Sequence, residues 1–203
     1  MYPTFKRIFD FSTSLIGLII ISPVFFIIVL LVWIYHGRPV LFSQKRPGKN
    51  EQIFKMYKFR TMTNEKDDGG NLLPDENRIT KFGNFLRKTS LDELPELFNV
   101  IKGEMSLVGP RPLLVSYLPY YTEKEKKRHS VRPGISGLAQ VSGRNYVNWD
   151  RRLALDVEYV ENISFKMDLK ILFKTFAEVI SSKNVSANSA AVEPSLINYR
   201  TNK

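Results

Sequence analysis

Hydrophobic and polar positions divide the 203-residue chain into three parts. Residues 11–35 contain no Asp, Glu, Lys or Arg and are mostly Ile, Leu, Val and Phe. As one helix they would extend about 37 Å, enough to cross a hydrocarbon core about 30 Å thick. Residues 37–183 mix strand-like and helix-like patterns, and residues 184–203 are mainly polar. We therefore predict a membrane segment over 1–36, a folded domain over 37–183 and a poorly packed polar C-terminal tail over 184–203.

The membrane segment does not match a secretory signal peptide. Lys6 and Arg7 supply a basic flank, but the apolar run exceeds the usual length of about 7–15 residues and no small-residue cleavage site follows it. Near its middle, Pro23 follows Ser22 and removes one helical hydrogen bond. The Ser22-Pro23 pair therefore predicts a kink or a break, with a helix on either side.

Positive charge flanks this segment on both sides. Residues 6 and 7 are basic, and three more basic residues lie within 38–46. A single span usually carries its positive flank on one side of the membrane only. The charges thus favour a re-entrant helix that enters, bends at Ser22-Pro23 and leaves by the same cytoplasmic face. An ordinary span with a proline kink is the open alternative.

Two patterns in the folded domain predict surfaces for anions. Residues 53–62 alternate with period two, which indicates a short strand with Lys58 and Arg60 on one face. This pair could form a phosphate clamp or a solvated edge. Residues 165–181 place apolar side chains at helical spacing with lysines between them. Such an amphipathic helix suits an anionic membrane surface or the cover of a soluble core.

Two adjacent carboxylates stand out within the domain. Ser90 and Glu93 have the spacing of a capping box, which places Asp92 and Glu93 in the first turn of a predicted helix. Acidic residues at a helix start commonly complement the macrodipole. Arg87 lies upstream, however, and Arg111 is held between two prolines. Cationic neighbours of this kind bind phosphate, so the pair is a candidate for phosphate chemistry.

Composition narrows the chemistry further. With Lys+Arg 30 and Asp+Glu 20, the chain has a net charge of +10, which implies an anionic partner. The absence of cysteine and the presence of only two histidines exclude a disulfide framework, thiol catalysis and a Cys-ligated zinc site, and disfavour a histidine-based site. The cations are dispersed among Gly-Pro turns, without a helix-turn-helix, zinc or aromatic RNA-binding signature, so no nucleic-acid partner is predicted.

One glycine-rich stretch is a second candidate for ligand contact. Residues 132–145 hold three glycines and little apolar bulk, and they match neither a Walker A motif nor a dinucleotide fingerprint. The stretch predicts a loop in which backbone amides and Arg144 approach a ligand closely.

The motifs together resemble a known family. They are, in order, Ser22-Pro23, Lys58-Phe59-Arg60-Thr61-Met62, Ser90-Leu91-Asp92-Glu93-Leu94, Val108-Gly109-Pro110-Arg111-Pro112, and the loop from Arg132 to Arg144. In this order, over about residues 1–183, the sequence resembles the small-form monotopic phosphoglycosyl transferases. These bacterial sugar transferases start glycan assembly on a polyprenol phosphate.

The resemblance implies a fold, a reaction and a set of site residues. It implies an α/β (α+β-like), helix-rich small domain with short strands, a re-entrant membrane helix and interfacial amphipathic helices. Asp92 is then the nucleophile, with Glu93 as its partner and Mg²⁺ expected at Asp92. The basic positions around the phosphates are Lys58, Arg87, Arg111 and Arg144.

The resemblance also implies substrates and a location. A sugar 1-phosphate would move from a UDP-sugar to polyprenol (undecaprenyl) phosphate through a phosphosugar-aspartate, with release of UMP. An N-acetylated amino sugar is expected, with a plain hexose as the alternative. The enzyme would be monotopic in the bacterial inner membrane, with its catalytic domain facing the cytoplasm, anionic lipids of the inner leaflet beside it and downstream glycosyltransferases as further partners. A non-enzymatic scaffold on anionic membranes is the rival hypothesis.

Overall fold

A long helix forms the N-terminal part of the structure. The computed structural model describes residues 2–143, 148–181 and 195–201, and α1 spans Tyr2–His36. Within these ranges α1 is the one helix whose length and apolar composition suffice to cross a membrane. The long apolar N-terminal helix expected from the sequence is therefore present.

The helix is continuous through the predicted break. Ser22 and Pro23 both lie inside α1, so the expected helix–break–helix is not seen as an interruption of the helix. Pro23 has no N–H to donate to the carbonyl of Ile19, four residues earlier. The Ser22 hydroxyl donates to that same carbonyl at 2.8 Å instead. The serine thus satisfies the acceptor that the proline leaves free, which explains why the helix continues.

Both ends of α1 are fastened to the rest of the chain. At the C-terminal end the His36 ring lies 2.8 Å from the Thr80 hydroxyl, and the Arg60 guanidinium donates to the His36 carbonyl at 2.7 Å. Arg60 therefore holds a helix end, whereas the sequence left open whether it joins Lys58 in a phosphate clamp. At the N-terminal end Lys6 forms a 2.6 Å ion pair with Asp168.

Two small sheets lie in the domain that follows. Strand β1 (Leu41–Pro47) pairs antiparallel with β2 (Ile53–Phe59), which confirms the strand expected from residue 53 onward. Strand β3 (Ser106–Val108) pairs in parallel with β4 (Gly134–Ser136). The strands are short, as expected for this fold.

Helices make up most of the remaining structure. The further α-helices are α2 (Asp75–Arg78), α3 (Lys81–Lys88), α4 (Glu96–Lys102), α5 (Glu123–Lys126), α6 (Trp149–Glu161), α7 (Phe165–Ser181) and α8 (Leu196–Thr201). Short 3₁₀ turns cover Lys49–Glu51, Leu91–Glu93, Val115–Tyr120, Lys127–Ser130 and Gln140–Ser142. The helix-rich fold with short strands is confirmed.

Several apolar clusters join these elements. One cluster packs Ile28 and Val32 of α1 against Phe59 of β2 and Leu86 of α3. Another packs Val108, Val141, Tyr159 and Ile171, and so joins β3 to α6 and α7. One face of the C-terminal half of α1 is therefore part of the core.

The prediction of a polar, poorly packed C-terminal tail is wrong for residues 195–201. Leu196 of α8 is fully buried in a cluster with Tyr117, Trp149 and Leu153. Arg200 adds an ion pair with Glu125. Leu196 buries apolar surface in this pocket and Arg200 adds an ion pair, and together they dock the short helix on the domain.

Candidate active site

The carboxylate pair lies on a separate 3₁₀ turn in front of α4. Ser90 adopts a left-handed backbone conformation (φ 57°) and its side chain caps nothing, so the predicted capping box with Glu93 does not form. The 3₁₀ turn Leu91–Glu93 follows, and α4 begins only at Glu96. The backbone reversal at Ser90 turns Asp92 and Glu93 toward strand β2 instead of leaving them at the helix end.

Glu93 is the centre of a charge cluster. Its Oε1 lies 2.5 Å from Lys58 Nζ and 2.8 Å from Arg111 Nη2. Burial alone would raise the pKa of Glu93, but the two cations outweigh it and hold this pKa well below its usual range. Glu93 is therefore ionised and fully engaged. The structure thus brings together Lys58, Glu93 and Arg111, as the sequence predicts.

Asp92, the residue before Glu93, differs from it in both its contacts and the direction of its pKa shift. It is 9% exposed, and within the described residues its carboxylate accepts no hydrogen bond and forms no ion pair. Burial raises the pKa of Asp92 to about 6, and the negative charge of Glu93 adds to this effect. Lys58, Arg111 and Arg87 act in the opposite direction, which places all three cations in its electrostatic surroundings.

A third carboxylate, missed at the sequence level, lies beside the pair. Glu96 is 2% exposed and its Oε1 lies 3.2 Å from Lys58 Nζ. Burial, reinforced by Glu93, raises the pKa of Glu96 to about 7. Nothing local in the sequence could show that Glu96, at the start of α4, faces Lys58.

Arg87 and Arg111 line a cleft of about 510 Å³ together with Glu93. Arg87 is oriented by a hydrogen bond from its Nε to the Thr61 hydroxyl at 3.0 Å. Asp92 does not line this cleft. Two arginines at a concave surface provide the planar donors that bind phosphate groups.

The turn that carries Arg111 is fixed by backbone packing and by Arg128. A Cβ at Gly134 would lie 2.1 Å from the Gly109 nitrogen, and one at Gly137 would lie 2.4 Å from the Gly109 oxygen. Both glycines of the predicted ligand loop therefore serve close packing against this turn. Arg128 donates from Nη2 to the Arg111 carbonyl at 2.6 Å.

Arg144, the remaining predicted phosphate ligand, lies outside the described residues. The loop before it nevertheless reaches the cleft, because Ile135, Ser136, Gln140 and Val141 line it. Residues of this loop between 135 and 141 therefore lie at the cleft, and their contact with a ligand stays a prediction.

Few carboxylates in the structure could bind Mg²⁺. Across residues 2–143, 148–181 and 195–201, no cluster of three or more His, Asp or Glu side chains could hold a metal ion. Glu93 is occupied by Lys58 and Arg111, which leaves Asp92 as the free carboxylate. Mg²⁺ commonly binds through one or two carboxylates plus substrate phosphates and water. Asp92 fits that mode as a single protein ligand.

Comparisons with known proteins show the family of this chain. The bacterial sugar transferase family matches residues 1–182. The chain is 52% identical over 180 residues to the uncharacterized sugar transferase EpsL of Bacillus subtilis, covering 89% of each protein. It is 40% identical over 195 residues to the exopolysaccharide production protein ExoY of Rhizobium meliloti, covering 88% of this chain and 86% of that one.

A longer relative has a more specific name. The UDP-glucose:undecaprenyl-phosphate glucose-1-phosphate transferase of Klebsiella pneumoniae is 41% identical over 181 residues, which cover 84% of this chain but 39% of that protein. The resemblance found in the motifs is thus confirmed at the level of the family. The chain belongs to the bacterial sugar transferase family and is a phosphoglycosyl transferase.

Proposed function

We propose that this enzyme transfers a sugar 1-phosphate from a UDP-sugar to undecaprenyl phosphate through a covalent intermediate on Asp92. The contrast between two adjacent carboxylates supports this assignment most directly. Glu93 is bound by two cations and cannot serve as a free nucleophile, whereas Asp92 forms no ion pair with any residue that the structure describes. Carboxylates form acyl phosphates in other enzymes and so divide one difficult transfer into two easier ones.

In the first step the Asp92 carboxylate attacks the phosphorus that carries the sugar. The bond from this phosphorus to the bridging oxygen breaks, UMP leaves with that oxygen, and the phosphosugar remains on Asp92. Because Asp92 does not line the cleft, its side chain must turn toward it, and this rotation breaks no hydrogen bond between the carboxylate and the residues that the structure describes. Arg87 and Arg111 would hold the diphosphate and offset its charge.

In the second step a phosphate oxygen of undecaprenyl phosphate attacks the same phosphorus. The bond to Asp92 breaks, the carboxylate is regenerated and a sugar diphosphate lipid is released. Asp92 would be the protein residue that holds Mg²⁺, and the metal would supply positive charge that favours the departure of UMP in the first step. Glu93 keeps Lys58 and Arg111 in place during both steps.

The contacts between α1 and α4 support a monotopic arrangement. Arg7 donates to the Val100 carbonyl of α4 at 2.6 Å, and the Phe25 ring lies 5.7 Å from that of Phe98 in the same helix. Residues 7 and 25 would be about 27 Å apart in a straight helix, whereas the seven-residue α4 is about 10 Å long. Contact of both halves of α1 with one short helix favours a bend between them. None of residues 15–27 is buried, which suits insertion of this bend in lipid.

Helix α7 offers a second surface of the kind that lies on a membrane. Phe173 and Phe176 are 66% and 67% exposed on it. Its N-terminal Phe165 packs edge-on against Phe5 and Phe9 of α1. The lysines between these apolar positions would meet anionic lipids of the inner leaflet. We therefore retain the proposal of an inner-membrane enzyme whose catalytic domain faces the cytoplasm.

The topology can be tested in the cysteine-free chain. Single cysteines introduced at Pro3 and Asn50 should both react with an impermeant maleimide in inside-out vesicles and in neither case from the outside. Replacing Pro23 by Leu should shift the chain toward a full span, because it removes the bend. Labelling of the two positions from opposite sides in the native sequence would contradict the re-entrant arrangement.

A UMP-release assay tests the function. Purified enzyme with undecaprenyl phosphate and Mg²⁺ should release UMP from one member of a UDP-sugar panel that contains N,N′-diacetylbacillosamine, N-acetylglucosamine, N-acetylgalactosamine, glucose and galactose. The family resemblance implies an N-acetylated amino sugar, and the name of the Klebsiella relative specifies glucose. Release of UDP would indicate direct glycosyl transfer, and no release from any donor would favour the scaffold hypothesis.

A further inference from the structure

One face of α1 carries a row of buried polar residues. Lys6, Asp10 and Ser14 follow each other at intervals of four, so they share a face, and they are 9%, 2% and 1% exposed. Asp10 is directed at strand β3. Its Oδ2 accepts a hydrogen bond from the Ser106 hydroxyl at 2.6 Å, and its Oδ1 lies 3.4 Å from the Leu107 nitrogen.

Asp10 occupies the place of a missing strand. Strand β3 pairs with β4 on one side, where Ser106 N–H donates to the Pro133 carbonyl and Gly109 N–H donates to the Ser136 carbonyl. Backbone groups alternate along a strand, so the N–H of Leu107 points to the other edge. An unpaired buried N–H is costly, and the Asp10 carboxylate supplies its acceptor.

Strand β3 leads directly to the phosphate-binding arginine. Arg111 follows the last residue of β3 by three positions, and its Nη2 lies 2.8 Å from Glu93. The intervening turn cannot deform easily, since a Cβ at Gly109 would lie 2.4 Å from the Arg132 oxygen. A displacement of β3 would therefore displace Arg111 by a similar distance.

We propose that Asp10 is a positioning residue for Arg111, through which docking of the membrane helix sets the geometry of the phosphate site. The inference rests on the proposed function for its activity readout. Asp10 would thus affect catalysis although it belongs to the membrane segment and lies far along the chain from the residues that line the cleft. Enzyme whose α1 is displaced from β3 would keep its fold but bind the diphosphate poorly.

The surroundings of Asp10 show which substitution should preserve this role. The Ser106 hydroxyl has a second acceptor, the Val108 carbonyl at 2.9 Å, so it can accept from an amide at position 10 while it donates there. Lys6 lies 3.6 Å from Asp10 and keeps its closer partner Asp168 at 2.6 Å. Asparagine can therefore hold β3 in place, whereas alanine leaves the Leu107 N–H without an acceptor.

The first experiment compares three variants for UMP release and for membrane association. Asp10→Ala should lower kcat/KM at least tenfold, mainly through a higher KM for the UDP-sugar, while Asp10→Asn should stay within threefold of the wild type. Ser14→Ala is the matched control, because Ser14 lies one turn further on the same face and its hydroxyl has no hydrogen-bond partner in the described structure. It should behave as wild type.

A double-mutant cycle with Arg111→Lys separates positioning from general stability. If Asp10 acts through Arg111, Asp10→Ala should cost less than threefold in the Arg111→Lys background. An undiminished tenfold cost there, or a loss that matches the fraction of protein missing from the membrane, would overturn the proposal. Wild-type enzyme without UMP release would instead contradict the proposed function.

Amide hydrogen exchange gives a readout that does not depend on activity. Exchange across residues 106–111 should accelerate in Asp10→Ala and remain as in wild type in Asp10→Asn and Ser14→Ala. Unchanged exchange in Asp10→Ala would show that β3 does not need this carboxylate, and the proposal would then be wrong.

Discussion

Two buried charge clusters meet at the Arg111 turn and differ in how completely they are satisfied. Arg128 and Asp156 are 2% and 3% exposed, and the Asp156 Oδ2 accepts from both Nε and Nη2 of Arg128 at 3.0 and 2.8 Å. Arg128 also donates to the Arg111 carbonyl. We call this pair closed, because the two buried side chains bind each other and the Arg111 turn, although both also line the cleft.

The Lys58–Glu93–Arg111 cluster is open by comparison. Arg111 is 43% exposed at the cleft, and Asp92 beside it forms no hydrogen bond or ion pair within residues 2–143, 148–181 and 195–201. Charge that the protein leaves unsatisfied is available to a ligand, whereas charge that it satisfies internally stabilises the fold. The comparison thus separates residues that should support stability from residues that should support catalysis, although they lie side by side.

Breaking the closed pair should have the largest effect, and it should be on stability. Asp156→Asn leaves the Arg128 charge buried without its counter-ion, which costs about 3–5 kcal/mol. Chemical unfolding in detergent should show this loss. Asp75→Asn is the control, since Asp75 pairs with Arg78 but is 71% exposed, and it should cost less than about 1 kcal/mol. Equal losses of stability in Asp156→Asn and Asp75→Asn would show that the buried pair is no more important for the fold than an exposed one.

Changing the open cluster should affect activity rather than stability. Arg111→Lys keeps the charge but loses the planar pair of donors, so kcat/KM for UMP release should fall about a hundredfold, or about 3 kcal/mol. The melting temperature should change little. Arg151→Lys, at an exposed position of α6, should leave both unchanged. Near-wild-type turnover of Arg111→Lys would reduce this residue to a general positive charge.

The pH dependence is a smaller effect and concerns the two carboxylates with raised pKa values. Asp92 must be ionised to attack, and burial raises its pKa to about 6. Activity should therefore fall as the pH drops through 6, about tenfold per pH unit below it.

Glu96 has a pKa raised to about 7 and could add a second step to this profile. Glu96→Gln removes that group, and the fall near pH 6 should remain in its profile. A fall that begins only near pH 4 would mean that Asp92 titrates as an exposed carboxylate.

Much of the site was predictable because its signals are local. Asp92, Glu93 and Arg111 were found from adjacent residues and flanking prolines, and β2 from its alternation. The capping box failed because its Ser90–Glu93 spacing says nothing about the left-handed conformation of Ser90.

The remaining features depend on contacts distant in sequence. Arg128 resembles the solvated lysines around it until Asp156 pairs with it across 28 residues. Leu196 docks α8 through a pocket assembled from residues 117–153. The continuity of α1 depends on a hydrogen bond from Ser22 that offsets the effect of Pro23.

The covalent mechanism is tested most directly by whether a phosphosugar becomes attached to Asp92. Enzyme given a turnover-competent UDP-sugar and Mg²⁺ without undecaprenyl phosphate should release at most about one UMP per active site in a burst. Mass spectrometry should then place the added mass on Asp92, and Asp92→Asn should show neither burst nor adduct while its melting temperature stays near that of the wild type. A burst that persists in Asp92→Asn, or an adduct on Glu93, would contradict the account.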